Sequence, residues 1–526
     1  MKSNPNRLWL VAILLGWGFD FLFWKHAPGI NFAIYVVLCL GGGFFLLTRE
    51  KYPPARNTFL LLIPILFFAA ITFLRAEPMT SFLAHALTLF LMALLALTYL
   101  GGRWPRYNLS DYIAGSFRLV GNMFALPLSH SVEVRRERLE RGDRPRRSFW
   151  PIFRGLLIAL PVVAIFASLL ASADAVFADR LEQFIEIFRL EKLPEYIFRG
   201  AYILFGAYLL VGVLLYAALH SRDEKLIGED KPTVPPFLGF IETSIVLGSV
   251  LVLFAIFVAI QFQYFFGGQA NIHIDGYTYS EYARRGFGEL VAVAFFSLLM
   301  ILGLGAVTRR ESESQRRAFS GLSVGIVALV LVMLVSAYQR LVLYEAAYGF
   351  SGLRTYTHVF LIWLAALLVA VVVLEILRRE RFFAFAALIA SIGFAASLPL
   401  LNVDDFIVRQ NVQRAVDGEE LDVTYLQNLS ADATPALAAA FRSPTLPDSV
   451  KEGVGAALAC IARDRAREDA DSSWQSFHVS RWNEAAILKS LEEDLARYQV
   501  GNADERGHTI ITPGGEEYPC YGYWFD

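Results

Sequence analysis

The sequence predicts an all-α, polytopic membrane helix bundle of about eleven spans, followed by a small, mainly helical C-terminal extramembrane domain. Three observations predict it. Of 526 residues, 56% are hydrophobic and 18% charged, with a mean hydropathy of +0.47, outside the range of water-soluble domains. Long apolar segments fill most of residues 1–401. The arginines and lysines between those segments fall alternately in crowded and sparse connections.

A spanning helix needs about 17–25 apolar residues, because every backbone amide in lipid must find its partner within the helix or a closed barrel. The segments that meet this are 8–24, 30–48, 59–74, 82–100, 151–172, 198–219, 237–266, 287–308, 319–343, 356–377 and 382–401. The first follows Lys2 and Arg7 as a signal peptide would. Trp17, Phe19, Phe21 and Trp24 stand where a small-residue cleavage site would lie, so it is read as a retained span. The third is the shortest, and Pro64 kinks it unless it falls in the first turns. The seventh is long enough to tilt or protrude.

The N-terminus and the loops 49–58, 101–150, 220–236, 309–318 and 378–381 hold 25 Lys and Arg. The alternate set, 25–29, 75–81, 173–197 with Arg199, 267–286 and 344–355, holds 9. The positive-inside rule makes the first set cytoplasmic. An odd number of spans then puts the N-terminus inside and the tail, 402–526, outside. Within loop 101–150, Asp111–Val132 is apolar but broken by Arg118, Asn122, Pro127 and His130, and a run of arginines from Arg135 to Arg147 follows it. That composition predicts a helix lying in the interface beside anionic headgroups.

In the tail, helices are expected from Asp404 to Val416 with Gly418 as the stop, over Ala436–Phe441 after Pro435, from Ser449 to Arg467 and from Trp482 to Tyr498. A hairpin is expected within Thr509–Phe525, around Pro513, Gly514 and Gly515. The tail holds 22 acidic residues against 11 Lys and Arg, which argues against nucleic acid as a partner. Cys460 and Cys520 both lie in it, and export would allow them to form a disulfide. Two free thiols are the alternative, since spacing alone does not establish a bridge.

No Gly-rich phosphate loop, His-Glu-x-x-His, Gly-x-Ser-x-Gly or Cys-x-x-Cys is present, and no two histidines stand at helical metal-ligand spacing. No metal or cofactor is therefore expected. What remains is a set of ionisable residues in or beside the spans, where burial is costly and usually has a reason. Arg340 lies in span nine, followed by Tyr344 and Glu345; Asp174 and Asp179 follow span five; Glu289 opens span eight; His85 and His358 begin spans four and ten; Asp20 closes span one. The predicted topology turns all of them to the outer half of the membrane, where they could line a hydrated cavity. Capping and snorkelling are the structural alternatives for each. Arg340, inside an apolar run, requires a carboxylate or carbonyl partner. Glu242 is read as interfacial, and the Gly321–Gly325 spacing as intramolecular helix packing.

From Arg340 to Arg354 the string reads Arg-Leu-Val-Leu-Tyr-Glu-Ala-Ala-Tyr-Gly-Phe-Ser-Gly-Leu-Arg. Together with Ala171-Ser172-Ala173-Asp174 and a tail opening with Asn402, Asp404, Asn411, Leu421, Asp422, Tyr425, Leu426, Ser430, Ala431, Asp432 and Pro435, it resembles domain of unknown function 4173 and its sister 4153. These are bacterial membrane proteins, and the similarity covers roughly residues 150–440. Val403 stands where proline is expected, and Phe350-Ser351 where Leu-Thr is common. The resemblance implies the architecture and the bacterial cytoplasmic membrane as location. It carries no activity. Three functions compete: a non-enzymatic envelope sensor or scaffold whose tail binds a protein partner; a small-molecule or ion transporter using Arg340, Glu345 and Asp174; and a membrane-embedded enzyme acting on envelope or lipid-linked substrates. Transport predicts broken helices meeting at mid-membrane, and catalysis predicts two acid/base groups converging in one cleft.

Overall fold

The computed structural model describes residues 5–140, 150–174, 176–177, 180, 192–222, 226–227, 235–265, 287–467, 473–504 and 507–520. Among the described residues twelve α-helices precede residue 402: α1 (Pro5–Phe23), α2 (Ile30–Arg49), α3 (Thr58–Leu74), α4 (Pro78–Leu97), α5 (Leu109–Glu140), α6 (Trp150–Ala173), α7 (Leu193–Leu219), α8 (Phe240–Phe265), α9 (Phe287–Val307), α10 (Glu313–Tyr348), α11 (Gly352–Ile376) and α12 (Phe383–Leu401). Among the described residues nine of these are long and apolar enough to cross a membrane: α1, α2, α4 and α7–α12. The protein is a multi-pass membrane helix bundle. α3, with 17 residues, is a shorter apolar helix, and α6 is apolar over 24 residues. Every one of the eleven predicted segments therefore falls on a helix.

The helix bounds differ from the apolar runs where polar caps extend them. α4 begins at Pro78, because the Glu77 side chain accepts from the Met79 and Thr80 amides, and proline suits the first helical position. α10 is 36 residues long. A capping box of Ser312 and Gln315 starts it, and Gly349, at φ +79°, ends it.

Contacts between helix termini sort them into two ends. The Ala55 amide bonds the Tyr99 carbonyl, the Leu100 amide bonds Ser221, Leu238 pairs with Thr308, Arg310 pairs with Glu375, and Arg381 bonds the Arg106 carbonyl. These bonds gather the ends of α4, α7, α9 and α11 with the starts of α3, α8, α10 and α12 into a basic end. At the other end the α1–α2, α3–α4 and α10–α11 turns and the start of α7 collect, and the tail docks there.

Parity then constrains the path between α4 and α7. α4 finishes at the basic end and α7 begins at the tail end, so the intervening chain makes an odd number of net crossings. α6 is the apolar candidate for that crossing; α5 carries Asp111, Arg118, Glu133 and the arginines from Arg135 onward. α5 does not stand clear of the bundle. It leans on α4 and α7, with Leu119 packed beside Tyr216 and the Met123 backbone seated on Gly212.

Two apolar cores hold the bundle. One joins α1–α4, α7 and α12, including Leu8, Leu61, Phe68, Leu91 and Leu215. The other joins α8–α11, including Leu247, Phe319, Ile326 and Leu368. α12 connects them: Gly393 receives the Trp363 ring of α11, and Trp363 Nε1 bonds Ser397 Oγ at 3.0 Å. Gly325 of the Gly-x-x-x-Gly pair meets Leu251 of α8, whereas Gly321 meets nothing within 4 Å.

The tail comprises α13 (Val403–Val416), α14 (Val423–Gln427), α15 (Thr434–Phe441), α16 (Asp448–Arg467), α17 (Val479–Ser490) and α18 (Glu492–Leu495). An antiparallel sheet of β1 (Gln499–Asp504), β2 (Gly507–Ile511) and β3 (Glu517–Cys520), ordered β1-β2-β3, closes it. The expected hairpin is thus the outer two-thirds of a three-stranded sheet. The helix expected to reach Tyr498 breaks earlier, into α17 and α18, since the chain must turn into β1. Val454, Ala457, Leu458 and Ile510 centre the tail core, and Cys460 bonds Cys520 across it, with Cα atoms 5.6 Å apart.

Candidate functional site at the junction of bundle and tail

Two grips fasten the tail to the bundle. The first explains most of the Arg340–Arg354 string. Gly349 needs its positive φ to turn α10 into α11, and a Cβ there would lie 2.7 Å from Arg414 Nη1 and 2.9 Å from Asn411 Oδ1. Asn411, on α13, accepts from the Phe350 amide (2.8 Å) and donates to the Phe350 carbonyl (2.9 Å). The Gly352 amide donates to the Tyr425 hydroxyl at 2.9 Å, and Arg414 donates to the Ala346 carbonyl at 2.9 Å. Arg354 ties the turn from within, bonding the Tyr348 and Gly349 carbonyls and lying 4.3 Å above the Tyr344 ring.

The second grip is a group of three buried carboxyls. Glu77 caps α4 (2.8 and 2.7 Å to the Met79 and Thr80 amides) and accepts from the Tyr356 hydroxyl. Asp432 reaches across from the tail to accept from the Ala76 and Glu77 amides (2.7 and 3.0 Å) and from Ser480, with Arg75 3.7 Å away. Asp404 accepts from the Ser430 amide at 2.9 Å. All three are at most 4% exposed. Burial pushes the Asp404 carboxyl up to about 6; bonds from Ser430 oppose the rise, and the acidic neighbours Glu77 and Asp432 add to it. His478, whose Nε2 lies 3.2 Å from the Arg75 carbonyl, has its pKa lowered, by burial first and by Arg481 next. Beyond the carboxyls, Ser480 donates to the Leu74 carbonyl, and the Ile30 amide to the Phe477 carbonyl.

The predicted outer residues divide. Glu345, 3% exposed, pairs with His358 at 2.8 Å, and Tyr338 stands edge-on to the histidine ring. Arg340 instead lines a cleft of about 390 Å³ with Glu289, among Leu253, Phe257 and Met333 of α8–α10. Asp174 accepts from the Val176 and Phe177 amides, a local cap. Asp179 lies outside the described residues. His85 bonds the Ser81 carbonyl of its own helix, and Glu242 caps α8 through the Gly239 amide. Asp20 meets Arg199 in a two-pronged pair (2.9 and 2.5 Å) and accepts from Tyr202, which locks α1 to α7. No group of three His, Cys, Asp or Glu among the described residues is placed to hold a metal.

Chemically, the junction carboxyls accept from backbone amides and hydroxyls, and Asp404 can exchange a proton near neutral pH. The arrangement positions and fastens.

The family model of DUF4153, a domain of unknown function, matches residues 62–440. The chain belongs to that family. The match is with the second of the two sister families the motif suggests, and it begins well before residue 150, taking in most of α3 and all of α4. The DUF4153 region contains Asp404, Asp432, Glu77, Tyr356 and the whole 346–354 turn with its partners Asn411, Arg414 and Tyr425. His478, Ser480 and the Cys460–Cys520 bridge lie beyond it. No curated protein and no solved structure matches the chain.

Sequence reasoning missed Glu77, Tyr356, His478 and Ser480. Glu77 alone carried a readable signal: an acidic residue directly before Pro78 marks a helix start.

Proposed function

We propose that this DUF4153 protein is a non-enzymatic sensor or scaffold of the bacterial cytoplasmic membrane, with its N-terminus inside and its tail outside, where the tail binds an envelope protein partner. The observation that carries this reading is the second grip. Asp432 of the tail holds the Ala76 and Glu77 amides immediately before α4, where Glu77 is the capping residue, so a shift of the tail is a shift of a helix end. The Lys and Arg bias between the apolar segments supports the orientation, and reading all eleven segments as spans gives the odd number of crossings it needs. The Cys460–Cys520 bridge supports it too, since disulfides persist on the oxidising side of a membrane.

The competing readings draw less support. A transporter using Arg340, Glu345 and Asp174 would bring the three together, whereas Glu345 turns to His358 and Asp174 caps its own turn. An enzyme would expose its acid and base to substrate, whereas Glu345 is buried against a half-buried His358.

Hydrogen exchange of the full-length protein in lipid nanodiscs tests the coupling. Asp432→Ala leaves two backbone amides without an acceptor, at about 1–3 kcal/mol for each buried orphan, while the Ser480 hydroxyl keeps the Leu74 carbonyl. Protection should fall in residues 75–82 and also in 349–356, the far grip. Loss confined to the tail, with α4 and α11 unchanged, would reject a coupled junction.

A further inference from the structure

The basic end carries a second polar cluster, unrelated to the tail. The end of α9, the first turns of α10 and the α11–α12 connection enclose a pocket of about 630 Å³. Five arginines line it, Arg310, Arg316, Arg317, Arg378 and Arg381, against the three glutamates Glu313, Glu375 and Glu380.

The glutamates are already engaged. Arg310 donates to Glu375 (3.0 Å) and to the Gly305 carbonyl (2.8 Å), reaches Glu380 at 3.3 Å and lies 4.7 Å over the Phe319 ring. Glu313 is shared by Arg317, at 3.6 Å, and Arg378. Arg316 and Arg381 turn to neutral groups, the carbonyls of Arg310 (3.4 Å) and Arg106 (3.0 Å). Their charges make the surplus of the pocket. Arg381 Nη2 is moreover buried without a hydrogen-bond partner among the described residues.

A cleft of about 590 Å³ opens beside this pocket and shares Glu375, Glu380 and Arg381 with it. Its other walls are mostly apolar, with Ile301 and Leu302 from α9, Val371 and Leu374 from α11 and Phe383 from α12. A cationic compartment therefore continues into a greasy groove between helices, with Arg381 at the boundary.

We propose that the two compartments together bind one anionic phospholipid, its phosphate diester on Arg316 and Arg381 and an acyl chain in the groove. A soluble anion would use the first compartment and leave the second idle; a neutral lipid would leave the arginine surplus unmatched. Basic pockets between spanning helices are suited to acidic headgroups, and each arginine near the surface contributes on the order of fivefold in affinity.

Native mass spectrometry of the purified full-length protein tests this, after incubation with phosphatidylglycerol or phosphatidylcholine of matched chains. The wild type should retain phosphatidylglycerol preferentially. Arg316→Gln and Arg381→Gln should each lower that retention about fivefold, and Leu374→Trp, which fills the groove without touching a charge, should lower it as far. Lys489→Gln, at an exposed position of the tail helix α17, should leave it unchanged. Equal retention of the two lipids by the wild type overturns the proposal, as does wild-type retention in both arginine variants. So does loss in the arginine variants with Leu374→Trp unaffected and displacement by millimolar inorganic phosphate, the pattern of a soluble anion. Melting temperatures certify the fold of each variant, and Arg316→Gln, at an exposed side chain, keeps the test decisive if Arg381→Gln does not fold.

Discussion

Asp404 is the residue at which the junction meets solution chemistry. The folded protein holds its proton up to about pH 6, whereas the unfolded chain releases it near the ordinary value of 3.8. Between those values folding takes up a proton. The stabilisation from this group is therefore complete below about pH 4 and is lost as pH rises through 6. Other carboxyls titrate in the same range, so the difference between two proteins is the useful quantity. Asp404→Asn keeps an acceptor for the Ser430 amide and removes the charge. Its melting temperature should exceed that of the wild type at pH 7.5 and converge with it by pH 4.5, as read by scanning fluorimetry. A gap that stays constant across pH would mean that Asp404 does not titrate in the folded state. Asp404, Asn411, Tyr425, Ser430 and Asp432 were legible as a group, because they recur in the motif at the opening of the tail. What each one touches was not legible, because hydrogen-bond partners leave no periodicity in a sequence.

At the scale of elements, the sharpest constraint is the α5–α7 crossing. A Cβ on Gly212 would lie 2.4 Å from the Met123 carbonyl oxygen and 2.5 Å from its Cα, and backbone cannot give way as a flexible side chain can. Gly206, on the same helix, meets nothing within 4 Å. Gly212→Ala should lower the melting temperature by several degrees and raise hydrogen exchange along α5, and Gly206→Ala should do neither. Equal effects would mean that α5 is not seated on α7. The composition of α5 suggested an interfacial helix; the small residue that receives it lies some ninety positions downstream, so the docking could not be read locally. In the tail, the bridge between α16 and β3 closes a span of 60 residues. Replacing Cys460 and Cys520 together by alanine should cost roughly 2–4 kcal/mol. Denaturant unfolding followed through tail amides should show this, with the bundle unaffected. An unchanged midpoint would mean that the bridge contributes nothing to the fold of the tail.

For the whole molecule the decisive quantity is which end faces out. Single cysteines are placed at Ser443 in the tail, which is half-buried, and at Ser312 at the basic end, which is exposed. With Cys39 replaced by alanine, a membrane-impermeant maleimide should label Ser443→Cys in intact cells whose outer barrier has been opened. Ser312→Cys should react only after the cytoplasmic membrane is breached. The reverse pattern would invert the topology and remove the tail from the envelope.

The sequence by itself determined the order and approximate limits of the apolar helices and the two classes of loop between them. Lipid imposes that legibility: a spanning segment must satisfy its own backbone, so its signature is local and continuous. Tertiary structure alone decided the pairing of the ionisable groups. Arg340 and Glu345 are five residues apart on one helix, yet they face different neighbours, and the amide of Ala76 finds its acceptor 356 residues away in Asp432. Such partners are chosen by where helix ends meet in space, and a burial cost that several different partners could offset does not specify which one will.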